Sequence, residues 1–216
     1  KAAIKIQAVY NLLQKKFKSL EIWQATGNDS KYTGTIAQKL SKRELVIFDL
    51  GYFSAGAFKE IVSKGAYFVS RVKTNTKFYV DSVKRRGRYA KVNIVEILKQ
   101  SKGVVDQWIY IGGNKNTRMK IRVVAVRLPE NIVNERRRKA HKKAKPSGKM
   151  LTDEELELLA WNIIITDVPE TMLSARTICE LYRIRWQVEL IFKSWKSQFE
   201  IDEMNNVGKD YLECVL

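Results

Sequence analysis

The chain has 216 residues, 45% of them hydrophobic, which is enough to bury a substantial core. Its formal net charge is +17, and a positive excess of this size favours a polyanionic partner, most often nucleic acid. Because only two cysteines and one histidine occur, the sequence argues against a disulfide framework, a zinc site and a Ser-His-Asp triad. There is no membrane-length apolar run and no signal peptide, so we expect a soluble, cytoplasmic protein with no membrane partner.

The first third of the chain has an α/β pattern, in which apolar runs alternate with helical segments and turns. The predicted strands are residues 3–12, 20–26, 44–49 and 66–72, the predicted helices 35–40 and 54–64, and the predicted turns 27–30 and 50–52. The run at 44–49 ends in Asp49 and is typical of a buried central strand. In an open α/β sheet, functional sites form at the carboxyl ends of such strands.

The pattern changes after Lys73 to short β-like runs separated by turn residues, which predicts an antiparallel β insertion. These runs are residues 78–80, 90–94, 108–111 and 120–127. A basic helix is predicted at 131–145, and residues 136–149 contain eight lysines and arginines. Because the rest of the chain also carries a large positive excess, this cluster alone does not explain the net charge.

The last third of the chain begins with a capping box, in which Thr152 is followed by Glu155 at the start of a helix. A buried strand is predicted at 161–166. Ser174 is the predicted cap of one long C-terminal helix.

That helix carries the pattern Y-x2-R-x3-E-x6-K, formed by Tyr182, Arg185, Glu189 and Lys196. At about 100° per residue the four side chains fall within an arc of roughly 60° and form a polar row ~21 Å long. A phenol, a guanidinium and an ammonium suit phosphate contact, and the carboxylate suits a metal ion. The alternative interpretation is an amphipathic core helix whose charged face is solvated and has no binding role. For Asp49, the alternative is that it only caps the turn that follows it.

The two acids, Asp49 and Glu189, come from distant elements of a basic chain. Hard oxygen ligands in this setting suit one or two Mg²⁺ or Mn²⁺ ions held over phosphate. We therefore expect the two carboxylates to converge.

Asp49-Leu50-Gly51-Tyr52, together with the Y-x2-R-x3-E-x6-K row and the core at 185–193, resembles the DDE transposases of the insertion-sequence 4 family. The resemblance covers nearly the whole chain. It implies a ribonuclease-H-like α/β fold, a mixed sheet with flanking helices and an inserted antiparallel β region. The implied parts are the first part of the core at 1–73, the insertion with its basic helix at 74–150, and the last core strand and catalytic helix at 151–216.

The same resemblance implies DNA strand cleavage and strand transfer with Mg²⁺ or Mn²⁺. It makes Asp49 and Glu189 the catalytic metal ligands and Tyr182, Arg185 and Lys196 the phosphate-binding residues. The basic charge adds Arg136, Arg137 and Arg138 as expected DNA contacts. The implied partner is double-stranded DNA, both transposon ends and target, bound by a dimer in a bacterial, nucleoid-associated setting.

The family's first catalytic aspartate belongs on a strand that would precede residue 3, so we expect this chain to be a fragment that lacks it and is inactive alone. Asp29 matches a turn position of the family and receives no catalytic role. Two alternatives stay open: a ribonuclease-H-like nuclease without transposition, and a non-catalytic DNA-binding module. Trp108 is a candidate for stacking on an unpaired base, although packing within the insertion is the favoured interpretation.

Overall fold

The computed structural model describes residues 4–24, 28–83, 87–113 and 117–199. Its nine strands in the described residues are β1 Ile4–Asn11, β2 Lys16–Gln24, β3 Leu45–Phe48, β4 Tyr67–Arg71, β5 Phe78–Asp81, β6 Tyr89–Val92, β7 Val104–Ile111, β8 Met119–Arg127 and β9 Trp161–Thr166. The α-helices there are α1 Asp29–Lys39, α2 Ala55–Ser63, α3 Ile94–Gln100, α4 Glu130–Ala144, α5 Asp153–Leu158, α6 Ala175–Ile184 and α7 Trp186–Phe199.

Seven of the strands form one mixed sheet in the order β3-β4-β9-β8-β7-β5-β6. Only β3 and β4 are parallel, and α2 connects them as a crossover, whereas every other neighbouring pair is antiparallel. The strands of the predicted insertion join this same sheet. β1 and β2 form a separate antiparallel hairpin with a register shift between Val9 and Tyr10. The α/β class with a mixed sheet and flanking helices is thus confirmed.

Both faces of the sheet are covered, so its inner strands are apolar on both sides. The larger core contains Phe48, Phe68 and Ile165 from the sheet, packed with Tyr32 of α1 and Phe58 of α2. The second core lies on the opposite face and consists of Val69, Val124, Val168, Ile164, Ile178 and Tyr182. Helix α6 therefore packs on the face of the sheet that α1 and α2 leave open.

A fully buried arginine, Arg122 of β8, fixes the start of α6. Its guanidinium makes a two-point ion pair with Asp106 at 2.7 Å and donates to the carbonyl oxygens of Val168 (3.1 Å) and Leu173 (2.7 Å). A buried guanidinium is tolerable because these partners satisfy its donors. The segment leading to the Ser174 cap of α6 is thereby tied to the sheet.

Three sequence expectations about elements need correction. Residues 29 and 30 belong to α1, because the Asn28 side chain caps that helix instead of forming an isolated turn. Helix α3 was not expected, although Asn93 caps it and Ile94, Val95 and Leu98 bury one side of it. The predicted long C-terminal helix is two helices, with a break at Arg185.

Candidate active site

Asp49 lies directly after β3, where the apolar strand ends at the buried Phe48. Its side chain is 50% exposed and makes no capping hydrogen bond to the 3-10 turn Leu50–Tyr52 that follows. The structure therefore does not support the alternative in which Asp49 serves as the cap of that turn. The carboxylate is therefore not held by the turn, and it lies at the edge of the sheet where the parallel strands β3 and β4 end.

Arg185 brings the two predicted acids together. Its Nη1 lies 2.5 Å from Glu189 Oε1 and 3.6 Å from Asp49 Oδ1. Because both contacts involve the same nitrogen, the distance between Glu189 Oε1 and Asp49 Oδ1 cannot exceed the sum of these two distances. The elements that carry them are far apart in sequence.

The break at Arg185 changes the expected geometry of the polar row. The Arg185 amide donates to the Tyr182 carbonyl, and the Val188 amide donates to the Arg185 carbonyl. The backbone hydrogen bonds at this point therefore connect residues three apart, as in a 3-10 helix. The Glu189 side chain is 59% exposed, and Trp186 nearby is 52% exposed. The acid pair consequently opens to solvent.

Tyr182 is not on an exposed row, since it is buried in the second core at 6% exposure. Its hydroxyl group is also buried and has no hydrogen-bond partner among the described residues. Burial raises the pKa of Tyr182 to about 12, and the negative charge of Asp49 adds to that rise while Arg185 opposes it. The phenol therefore stays protonated and offers an unused donor near the acid pair.

Arg185 stays protonated and positively charged. Burial alone would lower its pKa, but the hydrogen bond to Glu189 and the charge of Asp49 outweigh that effect, and the pKa is raised. The Nε of the same guanidinium is buried and has no hydrogen-bond partner in the described part of the chain. Arg185 thus keeps donor capacity beyond its two acid partners. Lys196 belongs to α7, but its side chain lies outside the described residues.

A hydrogen-bonded network that sequence reasoning missed holds the turn after Asp49. The Tyr52 hydroxyl donates to the buried Gln7 Oε1, and Gln7 Nε2 donates to Asp29 Oδ1 at 3.0 Å. Asp29 also pairs with Lys5 at 2.9 Å and sits against Gly51, where a Cβ would come within 3.0 Å of its Oδ2. Asp29 is therefore engaged by a cation and an amide.

Two further basic residues lie at the edge of the sheet where Asp49 lies. Arg71 ends β4, whose carboxyl end is aligned with that of β3. Arg136 of the basic helix donates to the Trp161 carbonyl oxygen at 3.1 Å, so this half-buried arginine also lies at that edge. Burial lowers the pKa of Arg136, and the charge of Arg71 lowers it further. Arg71 was not among the expected residues, although its position at a strand end was a usable signal.

The other two predicted DNA contacts of α4 differ in exposure. Arg138 is exposed, whereas Arg137 is half-buried and its Nε has no hydrogen-bond partner among the described residues. Most of α4 faces solvent, with Val133 as its buried anchor. The helix presents charge outward while its first half is attached to the sheet.

The acid pair fits a hard divalent cation. Two exposed carboxylates already meet at a positive group, and oxygen ligands are the ones that Mg²⁺ prefers. Mg²⁺ is usually held by one or two carboxylates together with water and substrate phosphate. Among the described residues, no group of three or more His, Cys, Asp or Glu side chains is placed to hold a metal ion. Asp49 and Glu189 are a pair of acids that could supply two of the oxygen ligands.

Comparison with known proteins matches this chain to the family described as "Transposase DDE domain" over residues 1–214. The chain belongs to this family, and the predicted resemblance to DDE transposases is confirmed. It is 32% identical to the transposase of insertion sequence element IS231B from Bacillus thuringiensis subsp. berliner, over 99% of the chain and 47% of the relative. It is 30% identical to the transposase of IS1151 from Clostridium perfringens, over 100% of the chain and 48% of the relative.

The chain spans about half the length of these curated relatives. No helix in the described parts of the chain is long and apolar enough to cross a membrane.

Proposed function

We propose that this chain is the catalytic domain of a DNA transposase and that Asp49 and Glu189 are its metal-binding acids. The single observation that carries the proposal is the meeting of both carboxylates at Arg185. A carboxylate pair that converges, remains exposed and is surrounded by basic groups suits cation-assisted attack on a phosphodiester.

In the proposed reaction, a water oxygen bonds to phosphorus and the bond from phosphorus to the 3′ oxygen breaks, which leaves a 3′ hydroxyl and a 5′ phosphate. In strand transfer, that 3′ hydroxyl attacks a phosphodiester of a second DNA and displaces another 3′ oxygen. Bound Mg²⁺ or Mn²⁺ supplies Lewis-acid activation and charge neutralisation. Asp49 and Glu189 hold the cation through their oxygen atoms.

Arg185 has a second role in this proposal. If Asp49 and Glu189 hold a cation, the Arg185 guanidinium would be available to bind the scissile phosphate through two donors. Tyr182 is the phosphate-binding phenol that the family resemblance implies; its pKa of about 12 keeps its proton in place, and its hydroxyl is buried in this structure. Lys196, seven residues after Glu189, adds a positive charge about two turns further along α7.

The DNA duplex is proposed to lie over the carboxyl edge of β3 and β4, where Arg71 and Arg136 collect, with α4 alongside. Arg137 and Arg138 then contribute to a largely electrostatic interaction. We further propose that a dimer holds the transposon ends and target, and that the protein is nucleoid-associated in a bacterial cytoplasm, as the family resemblance implies. Because only two acids meet in the described residues, the isolated 216-residue chain should bind DNA without cleaving it.

The test uses the full gene product that contains this chain and a supercoiled plasmid carrying the inverted repeats that flank its gene. A transposase yields Mg²⁺-dependent cleavage at the repeat ends and products joined to a second DNA. Cleavage without any joined product would favour the ribonuclease-H-like nuclease instead. Binding with neither product, in both Mg²⁺ and Mn²⁺, would favour the non-catalytic DNA-binding module.

A further inference from the structure

The antiparallel strands β5 to β8 carry a row of tyrosines and lysines across one face of the sheet. Strand register aligns Lys91 with Tyr79, Tyr79 with Tyr110, and Tyr110 with Lys120, so the row crosses four adjacent strands. At ~4.8 Å between strands it is about 14 Å long. We propose that this tyrosine–lysine row, with Tyr89 and Arg118, binds an unpaired DNA strand. The inference rests on the proposed DNA substrate and adds a surface separate from the acid pair.

The row lies on the face of the sheet opposite the main core. Ile109 and Ile111 of β7 are buried in that core against α3, and side chains alternate along a strand, so Tyr110 projects from the other face. That other face is the one on which α6 packs through Val124 and Ile164. The row therefore shares a face of the sheet with the helix that leads to Arg185 and Glu189.

The aromatic rings of this surface form a connected cluster. The Tyr89 and Tyr110 ring centroids are 4.7 Å apart in an edge-to-face arrangement, and Tyr89 is 43% exposed. The Arg118 guanidinium carbon lies 3.6 Å from the Tyr79 ring centroid and 4.8 Å from that of Tyr89. Two of its nitrogens, Nε and Nη1, are buried and have no hydrogen-bond partner in the parts of the chain that are described.

These features match the chemistry of single-strand recognition. Nonspecific single-strand binders combine aromatic rings, on which bases stack, with cations that follow the backbone. Tyr89 supplies an exposed ring and Arg118 a cation with unused donors, while Lys91 and Lys120 are exposed at the two ends of the row. The only carboxylate that bonds directly to the row in the described residues is Asp81, which accepts from the Tyr110 hydroxyl at 3.3 Å.

The wider charge of the region also favours a polyanion. Arg88, which immediately precedes β6, is exposed and adds a further cation. Lys120 Nζ lies 5.9 Å from the Trp108 ring, which extends the aromatic and basic surface toward β7. Trp108 itself donates to Glu170 at 3.0 Å. A duplex hides the faces of its bases, so stacking on exposed rings requires an unpaired strand.

The experiment measures binding of a fluorescent single-stranded dodecathymidylate to the 216-residue chain by anisotropy, without divalent cation. Tyr89→Ala should weaken binding about tenfold, whereas Tyr89→Phe keeps the ring and should stay within about twofold of the parent. Lys120→Glu should weaken binding by a similar factor. Lys99→Glu is the matched charge control, because Lys99 is exposed on α3 on the opposite face.

A blunt DNA duplex of the same length separates stacking from general charge attraction. Tyr89→Ala should change duplex binding by less than about twofold. Unchanged oligonucleotide binding in variants whose melting temperatures match the parent would overturn the inference, as would equal losses for duplex and single strand. Because oligonucleotide binding is measured without divalent cation and with substitutions outside the acid pair, a failure of the acid-pair proposal and a failure of this one are distinguishable.

Discussion

Arg185 Nη1 lies 2.5 Å from Glu189 Oε1, and the same nitrogen reaches Asp49 Oδ1 at 3.6 Å. The guanidinium thus pairs with both carboxylates. If the two acids bind a divalent cation, as proposed, we expect Arg185 and that cation to compete for them.

Removing Arg185 should therefore strengthen cation binding in the absence of DNA. In Arg185→Ala, the acid pair loses its internal counter-ion, and Mn²⁺ affinity should rise about three- to tenfold, a modest factor because the acids are half exposed to solvent. Electron paramagnetic resonance of free Mn²⁺ measures it on the 216-residue chain. Arg183→Ala, which removes an exposed guanidinium from α6, is the control. Equal or weaker affinity in Arg185→Ala would contradict the competition.

Asp167 makes the stability of the fold depend on pH. Burial raises the pKa of this carboxyl to about 6, despite the amide of Phe68 that donates to it at 2.8 Å. The folded chain retains a proton that the unfolded chain releases, so stability should be greatest below about pH 4 and should fall as pH rises to about 6.

Asp167→Asn keeps the acceptor and removes the charge. The variant should be more stable than the parent by up to about 3 kcal/mol at pH 7, with no difference at acidic pH. Urea unfolding across this range measures the effect. Glu96→Gln on α3 serves as an exposed-acid control. A difference that does not vary with pH would show that Asp167 does not titrate in this range.

DNA binding by α4 should depend on its outward charges more than on Arg136. Arg136 is half-buried and tied to the Trp161 carbonyl, whereas Arg138, Lys139 and Lys142 are exposed. Neutralising the three exposed residues to Gln should reduce the slope of log affinity against log salt by about 0.9 for each phosphate that the helix no longer neutralises. Arg136→Gln should change the slope less. An unchanged slope in the triple variant would show that α4 does not contact DNA.

The network behind Asp49 should contribute to stability through Gln7. Gln7→Leu leaves the Tyr52 hydroxyl and the Asp29 carboxylate without their buried partner, which should cost about 2 kcal/mol in the free energy of unfolding. Gln14→Leu, at an exposed position in the β1–β2 turn, should cost far less. Guanidinium unfolding compares the two variants, and equal costs would argue against the network.

Local sequence patterns predicted the strands around Asp49 and the capped helices, because apolar runs and capping residues act over a few positions. The Thr152–Glu155 capping box, for example, is present as expected. The break at Arg185 was not predictable, since Tyr182 to Glu189 has no proline or glycine to mark it. The burial of Tyr182 and the contacts of Gln7 and Arg71 arise from packing between elements that are distant in sequence, which spacing along one helix does not encode.

The central claim is that Asp49 and Glu189 act together as the cation-binding acids of DNA cleavage. The most direct test is Mg²⁺-dependent nicking of an inverted-repeat plasmid by the full gene product carrying Asp49→Asn or Glu189→Gln. Glu180→Gln is the matched control, because Glu180 is 56% exposed on α6 and Glu189 is 59% exposed on α7. Either acid substitution should reduce nicking to the level seen without metal, while DNA affinity and the control variant keep parent values. Nicking at the parent rate by Glu189→Gln would contradict this claim.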